Sequence, residues 1–254
     1  MVIFLCKDSF EGILCGVYDA WMSRLGHENV KLELQEGYNL ELFAEYRETE
    51  GSGEKAQKVL DVVVRKISRE AYRLIYHASL SWERGKADAI YRFLIDGFRL
   101  GSRVADCLQL PSVSEIFRLD RSVANEDHLL REFLRFSQVG EHELFSVIGP
   151  KNDVLTLLVP HFVDRMPTES FIIYDKNRKK AVVSEASGDW FLLSGAAAAR
   201  LEELAERTDR GEYAALWKTF FDSIAVRERE NYRCQRGHLP LRFRSYMTEF
   251  QKGI

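Results

Sequence analysis

The chain lacks the sequence patterns that identify a chemistry most directly. Its four cysteines, Cys6, Cys15, Cys107 and Cys234, are widely spaced and form no Cys-x-x-Cys pair, so we expect no zinc ribbon or iron–sulfur cluster held by this chain. Gly-rich phosphate loops, Gly-x-Ser-x-Gly elbows and His-Glu-x-x-His motifs are also absent. The residues alone therefore name no reaction, and we predict no metal and no cofactor.

Long apolar runs, prolines and a strong net charge are scarce too. The apolar run Val2–Cys6 meets Lys7 at once and is too short for a signal sequence or a membrane span. Only 5 prolines occur in 254 residues and 12% of residues are aromatic, which indicates a folded chain. The net charge of −3 excludes a globally basic nucleic-acid binder but not a local basic face. We expect a cytoplasmic protein with reduced thiols and no membrane contact.

Hydrophobic periodicity predicts a strand–helix–strand opening. Val2–Cys6 is rich in β-forming residues, and residues 30–34 alternate between apolar and charged side chains. Between them, Asp8 or Ser9 can cap a helix that ends near Gly26. A Gly-Ser-Gly joint at residues 51–53 then introduces a helical middle. The first helix predicted there runs through Val59, Val62, Val63 and Ile67. The next two cover residues 69–82 and 87–100, and a long helix follows over 111–136, with a kink near Asn125.

The second half of the chain changes in character. Strands are predicted at residues 144–148, 171–174, 181–183 and 190–193, with a polar hairpin turn at 175–178. Asn152 or Asp153 can cap a short helix that Pro160 kinks or splits. The predicted fold class is α+β, with an N-terminal β-α-β piece, a helical middle and a small, mostly antiparallel sheet flanked by C-terminal helices. We divide the chain into residues 1–84 and 85–254, or take both as one compact unit.

The C-terminal segment is the first candidate site. An apolar amphipathic helix from Tyr213 runs into a basic stretch, and from residue 227 to the end seven basic residues face three acidic ones. On a continued helix, Arg227, Asn231 and Gln235 would share one face. Guanidinium groups suit phosphates, and amides suit base edges or sugars. The alternative is a solvated helix whose arginines pair with glutamates and whose amides cap turns.

Two histidine segments are the other candidates. His161 and Arg165 are spaced to present a donor pair to an anion, or His161 could act as an acid or base beside Asp164. Its alternative is a histidine satisfied by Asp164 or by a backbone carbonyl. His128 follows Glu126 and stands one turn before Glu132, but no third ligand is visible, so we predict no metal site. Arg131 and Arg135 share a helical face, which is either basic binding surface or ordinary surface charge.

Several segments resemble an uncharacterised bacterial family of DNA metabolism proteins associated with a radical SAM protein of DNA modification or repair. The similar segments are Asp8 to Gly12; Ile90 to Leu94; Gly97 to Gly101; Glu126-x-His128; Phe133 to Phe136; Pro160-His161-Phe162 with Arg165; Ile173-x-Asp175 with Arg178 and Ala181; and Leu216 through Phe221, Arg227-x-Arg229-x-Asn231, Gln235, Pro240 and Arg242. In some relatives a similar domain is joined to a uracil-DNA glycosylase-like domain. The resemblance thus implies DNA repair or base modification, with any radical SAM cluster on the partner.

Three hypotheses follow from the residues and the resemblance together. The first is a nucleic-acid-binding or adaptor subunit that binds DNA and works with the radical SAM protein. The second is an enzyme acting on DNA or a nucleobase through His128 or His161 with Glu126 or Asp164. The third is a protein-interaction module that docks through the aromatic helix around Trp217. The predicted nucleic-acid-binding residues are Arg135, Arg165, Arg227, Arg229, Asn231, Gln235 and Arg242.

Overall fold

The computed structural model divides into two compact units, Met1–Ala124 and Asn125–Ile254. It describes residues 1–139, 143–195, 197–198, 201, 211–224 and 231–250. The sequence division after residue 84 concerns the extent of a family domain, and it stays a prediction. Within the described ranges, no helix combines the length and the apolarity that crossing a bilayer requires.

The first unit is built on a three-stranded parallel sheet. Its strands are β1 (Val2–Cys6), β2 (Val30–Leu34) and β3 (Glu45–Glu48), in the order β2-β1-β3. Strand β1 lies in the centre and is almost entirely buried, as expected for a continuous apolar run between two neighbours. The polar sequence of β3 gives no alternating signal, so the third strand was missed from sequence; its backbone pairing with β1 makes it a strand.

Helices complete the first unit. They are α1 (Phe10–Met22), α2 (Gly53–Lys66), α3 (Arg69–Ser79), α4 (Lys86–Leu100) and α5 (Pro111–Phe133), within which the division between the units falls. Three serines cap helices through their side chains: Ser9 begins α1, Ser52 begins α2 and Ser68 begins α3. One large apolar cluster joins the sheet to these helices, because each helix turns its apolar face inward.

The second unit contains a five-stranded mixed sheet in the order of the sequence. Its strands are β4 (Ser137–Gln138), β5 (Glu143–Ile148), β6 (Ser170–Asp175), β7 (Lys180–Ser184) and β8 (Trp190–Ser194). Strands β5 and β6 are parallel and are connected through α6 (Leu155–Arg165), whereas every other neighbouring pair is antiparallel. Helices α7 (Gly211–Ile224), α8 (Tyr232–His238) and α9 (Leu241–Arg244) lie further along the described part of this unit.

The predicted fold class is confirmed, including the N-terminal β-α-β piece and the small, mostly antiparallel sheet among helices. Helix α6 runs through Pro160 without a split, and α5 runs continuously past Asn125, so the kinks predicted at both positions stay predictions. One local expectation was wrong. Neither Asn152 nor Asp153 caps α6, which Val154 precedes without a side-chain cap. Both polar side chains are used elsewhere, in the contacts of the second unit.

Gly16 offers a test of the packing between α1 and β1. A Cβ at this position would overlap the Cys6 sulfur and approach Leu32 Cδ2 to 3.3 Å. We expect Gly16→Ala to lower the free energy of unfolding by about 1–3 kcal/mol, because the core must open to admit a methyl group. Adding Cys6→Ala should recover part of that loss, since the overlapping sulfur is then gone. Urea denaturation measures both.

Gly53→Ala is the matched control, because no heavy atom lies within 4 Å of its added Cβ. Residue 53 opens α2, so alanine there should leave stability unchanged or slightly higher. Equal losses from the two glycine substitutions would contradict the packing argument.

Candidate functional site

Polar side chains gather in the second unit where the two parallel strands end. Ile148 and Asp175 are register partners and the last residues of β5 and β6. The loop 149–153 and the hairpin turn 175–180 therefore leave the sheet at the same edge. Ligands of α/β proteins commonly bind beyond the carboxyl ends of parallel strands. We call these two segments together the basic edge.

Asp175 organises the turn from inside. Its side chain is fully buried and accepts hydrogen bonds from the Asn177 backbone N–H at 2.9 Å and from Arg178 Nη1 at 3.0 Å. Burial raises the pKa of Asp175, and the neighbouring guanidinium of Arg178 offsets part of that shift. The carboxylate fixes the first residues of the turn and holds the Arg178 side chain across it.

The turn is bound to the loop beside it. Asn177 Nδ2 and Arg178 Nη1 donate to the Pro150 carbonyl at 2.9 and 3.2 Å, and Arg178 Nη2 donates to the Lys151 carbonyl. Lys180 pairs with Asp153 at 2.6 Å. Arg178 and Lys180 are therefore occupied by partners within the basic edge, and the two segments form one surface.

Glu126, near the end of α5, accepts hydrogen bonds from the loop 149–153. Its Oε1 accepts from the Lys151 backbone N–H and from Arg242 Nη2, both at 2.9 Å. Its Oε2 accepts from the backbone N–H and the side-chain Nδ2 of Asn152, both at 2.7 Å. A carboxylate has about four acceptor positions, so these four donors leave no acceptor position over. Glu126 is 2% exposed, which makes it a buried anion that is fully hydrogen-bonded.

The C-terminal segment reaches the same edge. Arg242 pairs with Glu126, and the Tyr246 hydroxyl fills the space that a Cβ on Gly149 would need. Lys176 Nζ lies 5.1 Å from the centre of the Tyr246 ring. The last described segment of the chain thus packs against both the loop and the turn.

Charge pairing leaves the basic edge with a positive surface. Its two segments contain five basic and two acidic residues, a net charge of +3 in a chain whose total is −3. The two acidic residues pair with Lys180 and Arg178, as described above. Three further cations of the basic edge, Lys151, Lys176 and Lys179, lie exposed at its surface. Sequence reasoning missed them, although four basic residues between 176 and 180 were a visible signal.

Two of the predicted nucleic-acid-binding arginines, Arg135 and Arg242, have internal partners. Arg135 Nη2 pairs with Glu249 at 2.8 Å, and its guanidinium lies 5.7 Å from the centre of the Trp217 ring. Arg242 pairs with Glu126, and Arg165 lies exposed at the end of α6. Arg227 and Arg229 lie outside the described residues, so their role stays a prediction.

The two predicted amides have structural contacts. Asn231 is the cap of α8, and its side chain accepts from the Cys234 backbone N–H at 3.0 Å. Gln235 accepts from Arg244 Nη2 at 3.1 Å. The prediction that Asn231 and Gln235 share one helical face is wrong, because Asn231 precedes the helix and has non-helical backbone angles.

The two candidate acid–base histidines have different neighbours in the structure. His128 is 72% exposed and lies 3.3 Å from Glu132. The His161 ring packs at 5.0 Å from that of Phe162, and Asp164 is exposed. Among the described residues, no group of three or more His, Cys, Asp or Glu side chains is arranged to hold a metal. Their catalytic role remains a prediction.

Comparison with known proteins finds a family model that matches the chain. A family model described as Domain of unknown function, DUF4130, matches residues 84–249, more than half of the chain. The match covers the basic edge, Glu126 and the C-terminal segment as far as Glu249. No curated protein matches the chain.

Glu126→Gln tests whether this carboxylate is structural. We expect the free energy of unfolding to fall by about 3 kcal/mol, because the amide places an N–H where a donor now points and leaves Arg242 without its partner anion. Urea denaturation measures the change. Glu132→Gln on the same helix is the control; its side chain is 51% exposed, so its effect should stay within about 0.5 kcal/mol. Equal stability of the two variants would return Glu126 to the catalytic candidates.

Proposed function

Since the chain belongs to the DUF4130 family of domains of unknown function, we propose from its geometry and its resemblance that it is a nucleic-acid-binding subunit. It acts in DNA repair or base modification, beside a radical SAM partner that holds the reactive cluster. One observation supports DNA as the ligand more than the others do. The basic edge has three exposed lysines, and its two acidic residues pair with Arg178 and Lys180.

The arrangement suits phosphate contact. Lys176 and Lys179 stand on the hairpin turn, and Lys151 stands on the loop that Arg178 joins to that turn. Ammonium groups on a fixed backbone can bind successive phosphates without ordering a long loop, which lowers the entropic cost of binding. Such contacts carry no sequence information, so we expect this surface to bind DNA of many sequences.

The resemblance supplies the biological setting. The similar family segments include Asp175 and Arg178, which shape the turn, and Arg242, which joins the C-terminal segment to Glu126. In this proposal those residues hold the basic edge in place, and the lysines bind the backbone of DNA. The radical SAM partner then acts on the bound nucleic acid.

The enzymatic alternative has weaker support. An acid–base pair needs a carboxylate with a free acceptor position beside a histidine. All four acceptor positions of Glu126 are occupied, and His128 is exposed beside Glu132 instead. His161 with Asp164 is the pair that this alternative retains.

Neutralising the three lysines together tests the proposed DNA contact. The triple variant Lys151→Gln, Lys176→Gln, Lys179→Gln should bind labelled single- and double-stranded DNA about ten-fold more weakly at low salt. Each lost phosphate contact also lowers the slope of log affinity against log salt by about 0.7 to 0.9. Fluorescence anisotropy at several salt concentrations measures both quantities.

Two further variants make the test specific. Neutralising Lys58, Arg65 and Lys66 on α2 removes the same charge from exposed cations of the first unit and should leave DNA binding unchanged. Arg227→Ala with Arg229→Ala tests the C-terminal site predicted from sequence. If wild type binds no DNA at low salt, the proposal is wrong; if only the arginine variant loses binding, the basic edge is the wrong surface.

A second candidate function rests on helix α7. Leu216, Trp217, Phe220 and Ile224 are between 41% and 58% exposed, although an amphipathic helix normally buries such residues. The ring of Phe221 contacts Phe250 at 6.1 Å, so the helix has one packed side. Exposed aromatic and aliphatic side chains at helical spacing are typical of a protein-docking face. The favoured partner is the radical SAM protein.

Leu216→Ser with Phe220→Ser tests this docking face. We expect the double variant to lose binding to the radical SAM protein of the same organism, measured by co-purification of the two proteins expressed together. Its DNA binding should stay near the wild-type value, because the basic edge is intact. Co-purification at the wild-type level would rule out this face as the docking site.

A further inference from the structure

The first unit contains an open apolar cleft that the nucleic-acid proposal does not use. The cleft has a volume of about 380 Å³ and lies between α1 and α2, with Phe98 of α4 also lining it. Helix α1 contributes Val17, Tyr18 and Trp21, and helix α2 contributes Val59 and Val62. This volume is within the range of small-molecule sites, although at its lower end.

The aromatic wall of the cleft is already in position. The Trp21 ring packs edge-on against Phe98 at 5.0 Å and against His27 at 4.7 Å. Trp21 is still 37% exposed, because its remaining surface faces the opening. A side chain fixed by two ring contacts loses little further freedom when a ligand packs on it, which favours binding.

The lysines around the cleft differ in whether a carboxylate pairs with them. Lys58 and Lys66 line it, and Lys55 lies 5.9 Å from the Tyr18 ring. Two of these cations have carboxylate partners: Lys55 pairs with Asp19 at 2.8 Å and Lys58 pairs with Glu54 at 2.6 Å. Within residues 1–139, all of which the structure describes, no carboxylate pairs with Lys66.

We propose that this cleft binds a small amphipathic anion. Its aromatic or acyl body packs between Trp21 and Val62, and its single carboxylate, sulfonate or phosphate lies beside Lys66. The apolar lining favours the body of such a ligand, and the Lys66 ammonium, with which no carboxylate of residues 1–139 pairs, favours one negative charge over none. The site lies in the first unit and is independent of the proposed DNA contact.

Two fluorescent probes separate the two halves of the proposal in the full-length chain. The first is 1-anilinonaphthalene-8-sulfonate, and the second is N-phenyl-1-naphthylamine, which has the same body without the sulfonate. Lys66→Gln should weaken the sulfonate probe up to about five-fold, as expected for one exposed charge contact, and leave the neutral probe unchanged. Arg65→Gln, the neighbouring exposed cation outside this cleft, is the control and should change neither.

Filling the cleft tests its location. Val62→Trp should reduce binding of both probes at least ten-fold, with Val62→Met as a milder variant if the first unfolds on circular dichroism. Displacement of the sulfonate probe by laurate, but not by 1-naphthoate, would identify an acyl ligand, and the reverse an aromatic one. The proposal is overturned if both cleft variants bind the probes like wild type, or if Leu216→Ser with Phe220→Ser on α7 removes the binding instead.

Discussion

The second unit depends most on the hydrogen bonds that the buried Glu126 carboxylate accepts. Burying an anion is costly unless donors surround it, and here four donors from two chain segments do so. They come from the loop after β5 and from the C-terminal segment, 25 to 116 residues away in sequence. The Glu126 carboxylate thus fixes the loop that bears Lys151 and holds the C-terminal segment against it. Asp175 fixes the hairpin turn through its hydrogen bonds with Asn177 and Arg178.

Internal pairing explains how an acidic chain presents a basic surface. The ion pairs of Asp153 and Asp175 consume the anionic groups of the basic edge from within. Lys151, Lys176 and Lys179 add three exposed positive charges to the same edge. The same reasoning applies to the first unit, where Asp19 and Glu54 occupy two lysines beside the apolar cleft and leave Lys66. Overall net charge therefore says little about either surface.

Most of the fold was predictable because its signals are local. The strands β1 and β2 were predicted with the bounds that the structure shows, since apolar runs and alternation depend on nearest neighbours only. Strands β3 and β4 were missed, because one is polar and the other has two residues, so long-range backbone pairing alone defines them. The candidate site was less predictable. Arg135 and Arg242 were predicted as nucleic-acid-binding residues, but in the structure they pair with Glu249 and Glu126.

The sequence by itself determined the α+β class, the order of all elements except β3 and β4, and the segments rich in charge, because these follow from residue type and spacing. Only the tertiary structure decided which charges are occupied, since an ion pair such as Arg242 with Glu126 joins residues far apart in the chain. It also decided that Asn231 ends as a cap and that Trp217 and Phe220 stay exposed. Periodicity shows that a helix has an apolar face, but burial depends on whether another part of the chain covers that face.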